Sequence, residues 1–155
     1  MGGSRKRGSV IGAGLAGALL IVLLLSVAIA AAATPTSLKI TVPAKVHPGQ
    51  HYQIKIAGLY AKSSTPGTAY LVAFLQYTAS ACKPTAGAEN ALPSKDWSLD
   101  FAGAEPHSPF TRIDRWTVGT LTGTRKVCAY LYPKVVSPST KLHPTAIATA
   151  TYRNV

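Results

Sequence analysis

The chain predicts an all-β fold, a two-layer antiparallel sandwich of about seven short strands, and three observations carry that prediction. Residues Leu38 to Ala57 alternate apolar and polar side chains on both sides of a Pro-Gly turn. The stretch Gly123 to Pro133, GTRKVCAYLYP, holds a β-branched and aromatic run whose two faces, Cys128, Tyr130 and Tyr132 against Val127, Ala129 and Leu131, lack charge, as in an interior strand of a layered protein. No amphipathic helical segment follows the N-terminal apolar run.

Of the 155 residues, 1–33 read as an export segment and 34–155 as one domain. Arg5, Lys6 and Arg7 precede an uncharged apolar run from Val10 to Ala33, about 36 Å long as a helix and able to span a hydrocarbon core of about 30 Å. Two outcomes stay open. The small residues Ala28 to Ala33 suit signal-peptidase cleavage near Ala33; an uncut segment would be a single-pass membrane anchor with its basic end inside. Both place the domain outside the cytoplasm, secreted or tethered. Gly12, Gly14 and Gly17 spell GxGxxG, but no strand precedes them and they sit in the export helix, which removes the dinucleotide reading.

The strands are expected in the following order. Leu38, Ile40 and Val42 form a half-buried strand that Pro43 ends, and His47 to Gln50 form a turn. Tyr52, Ile54 and Ile56 make a second strand, stopped at Gly58. Ala61 to Gly67 is a Ser, Thr, Pro and Gly loop before a buried strand from Ala69 to Tyr77, and Lys83 to Pro93 is an irregular, Ala-rich connection. Trp97, Leu99 and Phe101 share the core face of a fourth strand, with Asp96 and Asp100 on its outer face. Thr111 to Val118 is a fifth, whose register Ile113 and Trp116 leave open. The Cys128 strand is the sixth, and Ala146 to Arg153 the last.

Cys82 and Cys128 are the two cysteines, and in an exported chain they are expected to form a disulfide. Their separation of 46 residues corresponds to about 4 kcal/mol in the chain-entropy picture. This spacing excludes a CxxC-type redox pair.

Sixteen Lys and Arg stand against five Asp and Glu; three of the cations belong to the export segment, which leaves the domain at +8. A basic exported domain favours anionic neighbours such as wall polymers, acidic polysaccharide or another surface protein. Basic and aromatic residues do not interleave, which argues against nucleic acid. His47, His51, His107 and His143 read as polar loop residues, and no metal or cofactor is expected. Asp96 and Asp100 are the one carboxylate pair that could serve hydrolysis, but they read as solvated, and no GxSxG or HExxH motif accompanies them. Catalysis is not expected. Trp116, Tyr60 and Tyr132 are candidates for an aromatic platform that would stack on sugars.

SLKITVPAKVHPGQHYQIKIAG, the segment CKPTAGAE from Cys82 to Glu89, and KVCAYLYP together resemble the secreted immunoglobulin-like domains of high-GC Gram-positive bacteria, proteins of unknown function. That resemblance implies an immunoglobulin-like sandwich and an extracytoplasmic address, not an activity. Lys126, where antibody-type domains carry Tyr two residues before the second Cys, puts their tyrosine corner and usual inter-sheet bridge in question. The expected function is a non-catalytic interaction or structural module at the cell surface. A carbohydrate- or anionic wall-polymer-binding module is the alternative, and a small extracellular hydrolase the weaker one.

Overall fold

The computed structural model describes residues 36–61 and 69–155; the expected export segment, its expected cleavage point and most of the Ala61 to Gly67 loop lie outside these described residues. Eight strands and one short helix follow in order: β1 Ser37–Thr41, β2 Lys45–Val46, β3 His51–Leu59, β4 Ala69–Gln76, α1 Ala86–Asn90, β5 Trp97–Glu105, β6 Phe110–Thr117, β7 Gly123–Tyr132 and β8 Ala146–Asn154. They form two sheets, β1-β3-β6 and β2-β8-β7-β4-β5. Ile40, Ile54 and Ile56 of the first meet Leu71, Leu75, Val127 and Leu131 of the second in one core. Each such side chain contributes about 1.5–3 kcal/mol by leaving water.

The entry strand changes sheets. β1 pairs antiparallel with β3, Pro43 offers no N–H to continue the ladder, and the chain crosses to pair β2 with β8. That last pairing is parallel, so the sandwich is not wholly antiparallel, and the two-residue β2 adds an eighth strand to the expected seven. In the next turn Pro48 and Gly49 take the central positions, Gly49 at φ 78°, and Gln50 N–H closes on His47 C=O at 2.9 Å.

Two strand expectations need correction. β3 runs through Gly58 rather than stopping there, because Gly58 lies opposite Phe110 and the Phe110 ring occupies the place of the missing side chain. In β5, Leu99 pairs with Phe74 and Phe101 with Ala73, which leaves Asp100 as the extra residue of a bulge. The bulge flips the alternation. Phe101 joins the inter-sheet core, whereas Trp97 packs on the opposite side of the sheet and Leu99 is exposed there.

That opposite side carries a second core. Val72, Phe74, Cys128, Tyr130 and Tyr132 project away from the sandwich and are covered by Ala86 of α1 and by Val136. The Lys83 to Pro93 connection is therefore ordered. Thr85 caps α1 by accepting from Ala88 N–H at 3.1 Å, and Gly87 N–H donates to Thr140 C=O at 2.8 Å, tying the helix to the loop between β7 and β8.

Candidate functional site

Cys82 and Cys128 form the expected disulfide, with Cα atoms 5.7 Å apart. It lies in the outer core, not between the two sheets. The bridge fastens the segment after β4 onto the outer face of the sheet. Lys126 helps: its ammonium donates to the carbonyls of Ala79 and Ser80 at 3.0 and 2.6 Å. Beneath the segment, the fully buried Glu89 accepts from Gln76 Nε2 and, at 2.9 Å, from Lys83 N–H. The Tyr130 hydroxyl has two acceptors within reach of its one proton, Glu89 at 3.0 Å and Lys83 C=O at 2.9 Å. Burial, then the Glu89 carboxylate, push the Tyr130 hydroxyl well above the usual phenol range.

The open side of the sandwich lies between β5 and β6, the strands that end the two sheets. Arg112 pairs with the buried Glu105 at 2.8 Å and stacks over Phe101 at 5.0 Å. Burial raises the Glu105 carboxyl, and Arg112 opposes the rise. Farther along, the bulge turns Asp100 toward Asp114. Burial first, and then the Asp114 carboxylate, push Asp100 up to about 7, with the polar N–H of the Trp116 indole the one opposing influence. The carboxylate pair is thus Asp100 with Asp114, not Asp96 with Asp100. Asp96 precedes β5, and its carbonyl accepts from Tyr77 N–H at 2.7 Å.

At one end of the sandwich both sheets line a cavity of about 390 Å³. Tyr52 and Trp116 enter from the three-stranded sheet, and Arg125, Tyr152 and Asn154 from the other. The Tyr52 and Tyr152 hydroxyls hydrogen-bond each other at 2.7 Å, and burial raises both. A smaller cavity of about 240 Å³ is lined by Tyr60 and Tyr132. The structure therefore separates the platform candidates, Trp116 pairing with Tyr52 near the start of β3 and Tyr60 following its end. Tyr132 is 1% exposed and its hydroxyl accepts from Ala86 N–H, so its ring is packed in the outer core and forms no exposed platform. Tyr60 is half-buried, its hydroxyl donating to Glu105 C=O at 2.6 Å. Trp116, also half-buried, alone of the three borders the larger cavity.

The four histidines are exposed, with His51 Nδ1 hydrogen-bonded to Thr117 and His47 Nδ1 to Val155 C=O. Among the described residues no three His, Cys, Asp or Glu side chains converge. The outer face of the three-stranded sheet exposes Lys39, Lys55 and Arg115 without an acid among them.

No family model matches the sequence. No curated protein matches it either. Among solved structures, the chain is similar to the CARDB domain of a Pyrococcus furiosus protein crystallised in complex with di-metal ions. Identity is 12% and the TM-score 0.51, over 80% of this chain and 90% of that one. A solution structure of the same domain gives 12% identity and a TM-score of 0.49, over 79% and 95%. A β-glucosidase from Listeria innocua in complex with glucose gives 14% and 0.44, over 78% of this chain but 16% of the enzyme. The likeness to the CARDB domain is one of fold: an immunoglobulin-like β domain of two sheets.

Proposed function

We propose that the protein is a non-catalytic, extracytoplasmic binding module that holds an anionic wall polymer or polysaccharide on the outer face of its three-stranded sheet. One observation carries this reading. Each exposed charged side chain among the described residues is Lys or Arg, whereas all five acids are buried or half-buried. Glu89 sits in the outer core, Glu105 is held by Arg112, and Asp100 and Asp114 face each other across the seam. Positive charge therefore predominates at the surface, which attracts polyanions from a distance. On the sheet face Lys39 and Lys55 occupy neighbouring strands, and Arg115 lies opposite Gln53 of β3.

The export segment and the resemblance to secreted domains of high-GC Gram-positive bacteria favour the cell surface as the place of action. The di-metal ions of the CARDB domain are not a guide to this chain, whose Asp100 and Asp114 lack a third ligand among the described residues. Sedimentation with purified wall material tests the reading. Retention is expected to fall steeply between about 0.01 and 1 M salt, as the screening length drops from about 30 to 3 Å. The Lys39→Gln, Lys55→Gln, Arg115→Gln variant is expected to lose most of it at low salt. Equal retention of variant and wild type would refute the assignment.

A further inference from the structure

The cavity at the end of the sandwich contains a cation, Arg125, that has no counter-ion among the described residues. Arg125 is 9% exposed; its guanidinium donates to the carbonyls of Tyr77 at 2.9 Å, Leu121 at 2.9 Å and Thr124 at 3.4 Å and lies 5.5 Å from the centre of the Tyr77 ring, and no carboxylate among the described residues pairs with it. The ion pair among the described residues is Arg112 with Glu105, on the open side. A buried guanidinium is ordinarily matched by a carboxylate or phosphate, because carbonyl dipoles do not restore the solvation it loses.

Two further groups in the same cavity are unsatisfied in complementary ways. Asn154 is 4% exposed; its Nδ2 donates to the carbonyls of Gly119 and Leu121, but its Oδ1 accepts from no described group. The Tyr52 and Tyr152 hydroxyls share one hydrogen bond, so one of their two protons is left to donate elsewhere. The cavity thus offers a positive charge and a hydroxyl donor, one bare acceptor, and an aromatic wall in Trp116. Its volume, about 390 Å³, is that of a small-molecule site.

We infer that this cavity binds one small hydroxylated carboxylate of the uronic-acid class. The carboxylate would sit against Arg125, a sugar oxygen would accept the free proton of the Tyr52 and Tyr152 hydroxyl pair, a ring hydroxyl would donate to Asn154 Oδ1, and a sugar CH face would lie on Trp116. A neutral sugar would leave Arg125 unmatched. A plain carboxylate such as acetate would leave Asn154 and Trp116 without contacts. This site is separate from the cationic sheet face and does not depend on polymer binding there.

The test is an NMR titration of the exported, isotope-labelled protein with sodium glucuronate, and separately with glucose and with acetate. Glucuronate is expected to shift the Trp116 indole and Asn154 side-chain amide signals saturably in the millimolar range, with glucose and acetate at least about tenfold weaker. The Tyr52→Phe, Tyr152→Phe variant, which keeps both rings, is expected to weaken glucuronate about tenfold. Failure of glucuronate to move these signals at up to about 100 mM would overturn the inference, as would acetate matching glucuronate or the double variant binding unchanged. The wild-type arms decide the question without any variant. Loss of polymer retention in the Lys39, Lys55, Arg115 variant with glucuronate binding intact is the expected sign that the two sites are distinct.

Discussion

The Tyr130 hydroxyl and the Glu89 carboxylate meet at 3.0 Å beneath the segment that the disulfide holds down. Tyr130 belongs to β7 at the centre of the five-stranded sheet, and Glu89 to the five-residue helix laid over it. Their contact carries the covering segment's fold into the sheet. Glu89 also satisfies Gln76 Nε2 and Lys83 N–H, so removing the carboxylate strands these two donors, while the Tyr130 proton keeps Lys83 C=O. Glu89→Ala is expected to cost at least about 3 kcal/mol, read as a lower urea midpoint at unchanged m-value. Glu89→Gln should fall between, because its amide turns a donor toward donors. In the double variant with Tyr130→Phe the two losses should not add, since both delete the same bond.

The position of the disulfide predicts how the domain loosens. Cys128 is fully buried in the outer core, and its partner Cys82 stands on the segment leading to α1. Replacing both cysteines with serine removes a 46-residue constraint and is expected to cost about 2–4 kcal/mol. The loss should be local at first. Amide protection in Ala86–Asn90 is expected to collapse before that of β7 or β3 in native-state hydrogen exchange. Simultaneous loss throughout both sheets would contradict a bridge that fastens the outer layer.

Most strands were legible because their physics is local. Tyr52, Ile54 and Ile56 alternate with exposed polar residues in the structure as they do in the sequence. What lay beyond reach was decided across the chain. Nothing near Asp100 signals a bulge, which arises where β5 must fit both Phe74 and Ala73 of β4. Asp114 is separated from Asp100 by a crossing between sheets, so the carboxylate pair depends on topology rather than spacing. The outer core was hidden for a related reason: a strand buried on both faces has no alternation to show what covers each side. An uncharged β7 did imply two covered faces, and α1 supplies part of one cover. The cavity draws Arg125, Trp116 and Asn154 from three strands, and no motif joins them.

Gly58 offers a test of packing in the three-stranded sheet. A Cβ there would collide with the Phe110 ring and come within 3.2 Å of Leu38. Phe110 is 7% exposed and belongs to the inter-sheet core, so it has little room to withdraw. Gly58→Ala is therefore expected to lose about 1–3 kcal/mol despite the better strand propensity of alanine. Adding Phe110→Leu should recover part of the clash, and thermal melts of the single and double variants would measure it.

The Asp100 and Asp114 pair makes stability depend on pH in a definite direction. Folding raises the Asp100 carboxyl to about 7 from an ordinary value near 3.8, through burial and then through Asp114. The folded state consequently binds a proton that the unfolded chain releases, and stability must fall as pH rises between about 4 and 7. Above that window the ionised pair is retained at a cost. Glu105, also raised, pushes the same way. Asp100→Asn keeps the shape, removes one charge and can donate to Asp114. At pH 8 the variant is expected to be more stable than wild type by about 1–2 kcal/mol, a figure reduced for the partial exposure of the seam. Near pH 4.5 that advantage should vanish. Urea denaturation of both proteins at the two pH values decides the matter: a difference independent of pH would place the proton elsewhere.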